Sequence, residues 1–193
     1  EVLIRGADHV VTMDASRRVL NGADVLIRDG AIVEIGAGLV SEAEVVDASG
    51  CVVTPGLVNT HHHLYQTLTR AVPAAQNALL FGWLQTLYPI WARFTSEHMF
   101  VSAQVGLAEL ALSGCTLSAD HLYLYPNGAR LDDTIAAAFE VGLRFQPTRG
   151  AMSIGVRDGG LPPDSLVEEE AAILEDCMRV IDAFHDPSDA SMC

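Results

Sequence analysis

Three adjacent histidines, His61, His62 and His63, are the residues of this sequence best suited to chemistry. A neutral imidazole offers one lone pair while its other nitrogen keeps a proton, which makes histidine a common ligand for zinc and other divalent ions. The run sits inside Pro55-Gly56-Leu57-Val58-Asn59-Thr60-His61-His62-His63-Leu64-Tyr65-Gln66, between two apolar stretches rather than at a terminus, unlike a purification tag. In an extended strand, side chains alternate faces, so His61 and His63 share one face and His62 points away. The spacing predicts half of a metal site. A solvated loop, or one core histidine with exposed neighbours, is the competing reading of spacing alone. Two protein ligands fall short of the three that catalytic zinc usually has.

Weaker candidates surround this pair. Asp120 and His121 close a strand-like run and either orient a ligand histidine from behind or simply form a turn. Trp83, Tyr88 and Trp91 suit either a lid over a flat ring or core packing, with packing the commoner use of such residues. Cys115 and Cys177 lack a partner base nearby in the chain and read as buried small residues. His98 and His185 fall at expected helix ends, away from strand ends.

The elements that must position these groups change character along the chain. Residues 1–54 read as short strands with a tight reversal at Arg28-Asp29-Gly30, a small all-β unit. Residues 55–193 alternate strands and helices, the mark of βα units on a parallel sheet. The expected order is a strand in GLVNTHHH, a helical region through WLQTLYPIWARF, and a helix opened by Thr95 or Ser96 and ending near Gly114. After these come a strand in GCTLSADHLYL, a helix over 131–141, a strand in LRFQPTRG and a helix over 163–184 capped by Asp164. Three such units are fewer than the eight of a complete barrel.

Of the 193 residues, 50% are hydrophobic and 19% charged, enough to bury a substantial core. Eleven basic residues, all arginine, face 25 acidic ones for a formal charge of −14, with the positives scattered; nothing favours nucleic acid as a partner. No apolar stretch reaches the about 18 residues of a membrane span, and no secretion signal opens the sequence. Four cysteines without a CxxC pair fit a reduced setting, so the cytoplasm is the expected location.

PGLVNTHHHLYQ resembles the PG-(apolar)₂-(Asn/Asp)-x-HxH element that opens the barrel in the amidohydrolase superfamily, and the preceding β unit matches that layout too. The resemblance is strongest to guanine and 8-oxoguanine deaminases and hydroxytriazine hydrolases. It implies an α/β fold, the amino-terminal part of a metal-dependent hydrolase (β/α)₈ TIM barrel flanked by a small β-sandwich. It also implies one divalent ion, zinc with ferrous iron as the alternative, on His61, His63, a fifth-strand histidine and an eighth-strand aspartate outside these residues. Gln66 stands where guanine-type deaminases hold the purine ring; without the family it reads as a loop amide. Glu109 resembles a glutamate that adenosine-type deaminases use on a ribose, against a solvated helix carboxylate. Arg149 matches an arginine facing the pocket, against a salt bridge at the barrel rim.

The function so implied is hydrolytic deamination of a purine-type base, best 8-oxoguanine or guanine, with release of ammonia. The substrate would be a small heterocycle, and a homo-oligomer is an open assembly. Alternatives are a hydroxytriazine aminohydrolase or another cyclic amidine or amide hydrolase, and, from a different class, a catalytically silent barrel with an assembly role. The absence of lysine argues against a lysine-bridged two-metal site within these residues.

Overall fold

The computed structural model describes residues 1–185, so Cys193, one of the four cysteines, lies outside the described residues. The chain divides into two compact units, one over Glu1–Gly56 and the other from Leu57 onward.

The first unit is a single five-stranded sheet. Strands β1 (Val2–Val11), β2 (Val19–Arg28), β3 (Ala31–Gly36) and β4 (Glu44–Asp47) lie in the order β3-β2-β1-β4, and β5 (Val52–Val53) pairs with the far half of β1. The expected reversal at Arg28-Asp29-Gly30 is there: Arg28 pairs with Ala31, and Asp29 and Gly30 both take left-handed backbone conformations, the requirement of a two-residue hairpin turn. Buried Asp24 pins a bulge in β1, accepting the Gly6 N–H at 2.7 Å and the Leu39 N–H at 2.8 Å. The Gly6 bond first, with the Leu39 bond, holds its carboxyl below the usual range. Ala7, Val10, Ala23, Val25 and Ala48 form a small core. Only one sheet layer exists here, so no sandwich is complete within residues 1–56.

The second unit has mixed α/β content. Strands β6 (Leu57–Asn59), β7 (Cys115–Leu122) and β8 (Arg144–Arg149) are parallel and adjacent in that order. Helices α1 (Leu80–Trp91) and α2 (Ser96–Leu112) connect the first two strands, and α3 (Leu131–Val141) connects the second two, as parallel strands require. Thr95 caps α2 as anticipated, and His98 pairs with its hydroxyl and stacks on Phe94. Trp91, Tyr65, Leu64, Leu107 and Phe145 sit in one core. Trp91 is wholly buried and packs against Tyr65, Tyr88 and Trp83, so these aromatics form core rather than a lid. Cys115 is buried, Cys177 half-buried.

Two expectations need correction. The last helix, α4, runs from Glu170 to Phe184 rather than from Pro163, because the preceding residues are bonded elsewhere. Asp164 accepts the Arg157 N–H and the Glu168 N–H donates to the Met152 carbonyl, so 164–166 make only a 3₁₀ turn and 167–169 stay outside the α-helix. The histidine strand is also shorter than GLVNTHHH suggests. β6 stops at Asn59, whose amide turns to His62 and Ser118, and Thr60–His63 leave the ladder. No described helix is long and apolar enough to cross a membrane.

Candidate functional site

Because β6 ends early, strand alternation cannot be what aligns His61 with His63; the turn does it. The Asn59 side-chain N–H₂ donates to Nδ1 of His62 at 2.9 Å, drawing that ring aside. The His62 carbonyl accepts the backbone N–H of His121 at 2.8 Å, stapling the turn to β7. What remains is a His61–His63 pair with ring centroids 4.9 Å apart and planes at 89°. Two imidazoles bonded to one tetrahedral ion at about 2.0–2.1 Å put their ring centres about 5 Å apart, so the pair fits a shared ion.

The protonation of His63 reinforces this fit. Its Nδ1 lies 2.7 Å from the His121 carbonyl oxygen, which can only accept, so Nδ1 is the donor and Nε2 is the ring nitrogen not used in that bond. A ligand histidine anchored through its other nitrogen is the usual arrangement at metal sites. Among the described residues, no set of three or more His, Cys, Asp or Glu side chains converges in metal-binding geometry. The described residues thus bring two imidazoles together at this point and no third ligand.

Around the pair lies a shell of rings and one buried acid. His63 stands edge-on to Tyr123 at 5.4 Å, tilted to His121 at 5.5 Å and 6.3 Å from Tyr65. Burial first, then the neighbouring His63 and His61, lowers the pKa of both His62 and His121, keeping these flanking imidazoles neutral. Burial likewise raises the Tyr65 hydroxyl far above its usual range and pushes the Tyr88 hydroxyl up to about 12. Asp120 is 1% exposed. Burial pushes its carboxyl up to about 7 against the pull of the Leu64 and His121 N–H groups.

The three side chains expected to touch substrate lie in different surroundings. Gln66 is half-buried next to the pair; its amide donates to the Tyr65 hydroxyl at 3.0 Å and its backbone N–H to the His63 carbonyl. Glu109 does not join the histidine pair. It forms a forked ion pair with Arg70 at 2.7 and 2.9 Å on an exposed face of α2. Arg149 ends β8 with its side chain only 5% exposed. Its Nε donates to Asp176 at 3.0 Å, its Nη2 to Glu168 at 2.5 Å and its Nη1 to the Gly150 carbonyl at 2.9 Å, with Tyr125 under its plane at 4.2 Å. Burial alone would lower the Arg149 pKa, but Glu168 and Asp176 raise it.

Sequence reasoning missed Tyr65 and Tyr123. Each lies two residues beyond a histidine of interest, and that offset was the available signal. It also missed the bond from the Leu64 N–H to Asp120, which has no local trace.

Comparison with known proteins decides the family. The Amidohydrolase family profile matches residues 52–189. The chain belongs to the amidohydrolase family. It is 49% identical over 181 residues to an 8-oxoguanine deaminase of Pseudomonas aeruginosa, covering 89% of this chain and 40% of that protein. It is 35% identical over 206 residues to a hydroxydechloroatrazine ethylaminohydrolase of a Pseudomonas species, covering 98% of this chain and 43% of the relative. The chain thus spans about two fifths of the length of these relatives. Among solved structures, zinc-complexed atrazine chlorohydrolase from Arthrobacter aurescens superposes with a TM-score of 0.89 at 31% identity, over 100% of this chain and 45% of that one. Guanine deaminase of E. coli, at 21% identity and a TM-score of 0.77 over 100% of this chain and 45% of that one, shares the fold. This amidohydrolase-family chain carries its histidine pair in the first βα unit, at the carboxyl end of β6.

Proposed function

We propose that this chain is the amino-terminal part of a (β/α)₈ amidohydrolase that deaminates 8-oxoguanine with release of ammonia, using one divalent ion held in part by His61 and His63. The observation that carries the metal half of this reading is the ring pair at 4.9 Å with Nδ1 of His63 committed to a carbonyl. The substrate half rests on the 49% identity to an 8-oxoguanine deaminase. Zinc is the ion proposed, with ferrous iron the alternative.

When bound, the ion supplies an activated water able to attack the ring carbon that bears the amino group. The chain's own residues do the rest of what can be assigned to it. His63 presents Nε2 in a fixed orientation because its Nδ1 is tied down. The Gln66 amide, pinned through Tyr65, would donate to or accept from a ring edge. Tyr123, partly exposed beside the His63 ring, offers a flat apolar face suited to a planar heterocycle, and the buried Tyr65 backs it. Arg149, with its charge matched by Glu168 and Asp176, holds the surrounding wall, while Glu109 is engaged by Arg70 on the exposed face of α2.

A second reading, hydrolytic removal of an alkylamine from a hydroxytriazine, is favoured by the 35% identity to the ethylaminohydrolase. The test is product release by the full-length protein from guanine, 8-oxoguanine, isocytosine, adenosine and an alkylamino-hydroxytriazine. Ammonia from 8-oxoguanine at the highest kcat/KM is the expected outcome. Alkylamine from the triazine with no ammonia from either purine would overturn it.

A further inference from the structure

We propose that Asp120 is a positioning residue for the His61–His63 metal pair, acting by fixing the peptide that follows His63. The inference rests on the metal reading above and concerns how the ligand is aimed.

His63 is held from three sides by two consecutive residues of β7. The His62 carbonyl accepts the His121 N–H at 2.8 Å, fixing the peptide before His63. The His121 carbonyl accepts from Nδ1 at 2.7 Å, fixing the ring. Asp120 Oδ1 accepts the Leu64 N–H at 2.8 Å, fixing the peptide after it. Leu64 itself is wholly buried, and its carbonyl accepts the buried Ser102 hydroxyl of α2 at 2.7 Å, so the chain beyond His63 cannot swing. Gly106 allows this approach: a Cβ there would come within 2.8 Å of Leu64 Cδ2 and 2.9 Å of Thr67 Oγ1.

Of the bonds that β7 makes to His63 and its flanking peptides, two use the His121 backbone and only the Asp120 bond is made by a side chain; the His63 carbonyl also accepts the Gln66 N–H at 3.0 Å. The other Asp120 oxygen, Oδ2, is buried with no partner among the described residues. An unmatched buried oxygen costs stability, so packing alone does not account for an aspartate here. Holding a ligand's backbone within the tight tolerance of a metal site does account for it.

The test is zinc affinity of the chelator-stripped full-length protein, measured by competition with a chromophoric chelator, in D120N, D120L, D120A and H63A. Asparagine keeps an acceptor for the Leu64 N–H; leucine fills the space without one. D120L and D120A should bind zinc about 10–100-fold more weakly than wild type, the range seen when such supporting contacts are removed. D120N should stay within a few-fold. Wild-type affinity in a folded D120L or D120A, or a loss in D120N equal to theirs, overturns the proposal. So does a protein that unfolds with leucine and alanine yet folds with asparagine, which would make the role one of folding. H63A separates the two levels: unchanged zinc binding in that variant refutes the metal reading itself.

Discussion

The turn after β6 and the end of β8 both stand at carboxyl ends of parallel strands and both gather titratable side chains, yet they use them in opposite ways. At Arg149 the guanidinium is matched to Glu168, Asp176 and the Gly150 carbonyl, and Arg179 and Arg130 extend the network through Asp132 and Asp176, with Glu168 Oε2 the one buried oxygen there that has no partner among the described residues. At His61 and His63 only Nδ1 of His63 is bonded within the described residues, and the ring nitrogens best placed for a ligand are left over. A cluster that uses its bonding capacity internally holds structure together; one that keeps lone pairs in reserve, on a fixed scaffold, is suited to something brought from outside.

The contrast can be broken hardest at the histidines. Replacing His61 or His63 with alanine in the full-length protein should lower ammonia release about 1000-fold or more, the several kcal/mol that a bound ion contributes, with little change in the unfolding midpoint of the metal-free protein. A variant that retains turnover would erase the distinction. Arg149→Ala should do the reverse. Removing one member of a largely buried ion network leaves Glu168 and Asp176 uncompensated and should cost about 3 kcal/mol in urea unfolding. Turnover lost at wild-type stability would instead move Arg149 to the substrate, the role its family resemblance implies.

Acidification sharpens the same comparison. Burial would push the Asp176 carboxyl up, but hydrogen bonds from Arg179 and Arg149 outweigh it and hold it below its ordinary 3.8. A group depressed on folding contributes stability that is present above its unfolded pKa and lost as pH falls through its folded one. The thermal midpoint of wild type should therefore fall more steeply below about pH 4 than that of Asp176→Asn; parallel curves would show the network to be inert. The smallest effect is expected at Glu109, whose side chain is 52% exposed in its pair with Arg70. Exposed pairs contribute little. Glu109→Ala should leave turnover within about twofold, as a rim pair would, and a large rise in KM would restore a substrate role.

Local pattern was enough for much of this. The helix over 131–141 matches α3 residue for residue, the Asp29-Gly30 reversal follows from its turn chemistry, and the βα alternation after Pro55 follows from periodicity. The histidine pair was legible as an HxH spacing, although the turn, not strand alternation, produces it. What escaped depends on partners far along the chain. The Asp120 bond to Leu64 spans 56 residues, Arg149 meets Asp176 27 residues away, and Glu109 meets Arg70 across 39. Such pairings depend on which strand ends and helix faces meet, and no periodicity encodes that. The late start of α4 has the same origin, since tertiary bonds of Asp164 and the Glu168 N–H overrode helical propensity.

The most direct test of the central claim is anomalous diffraction at the zinc edge on crystals of the full-length protein grown with zinc. The account predicts one peak at about 2.0–2.1 Å from Nε2 of His63 and from a ring nitrogen of His61, absent in His63→Ala crystals. A peak that survives that substitution, or lies away from both imidazoles, would contradict it.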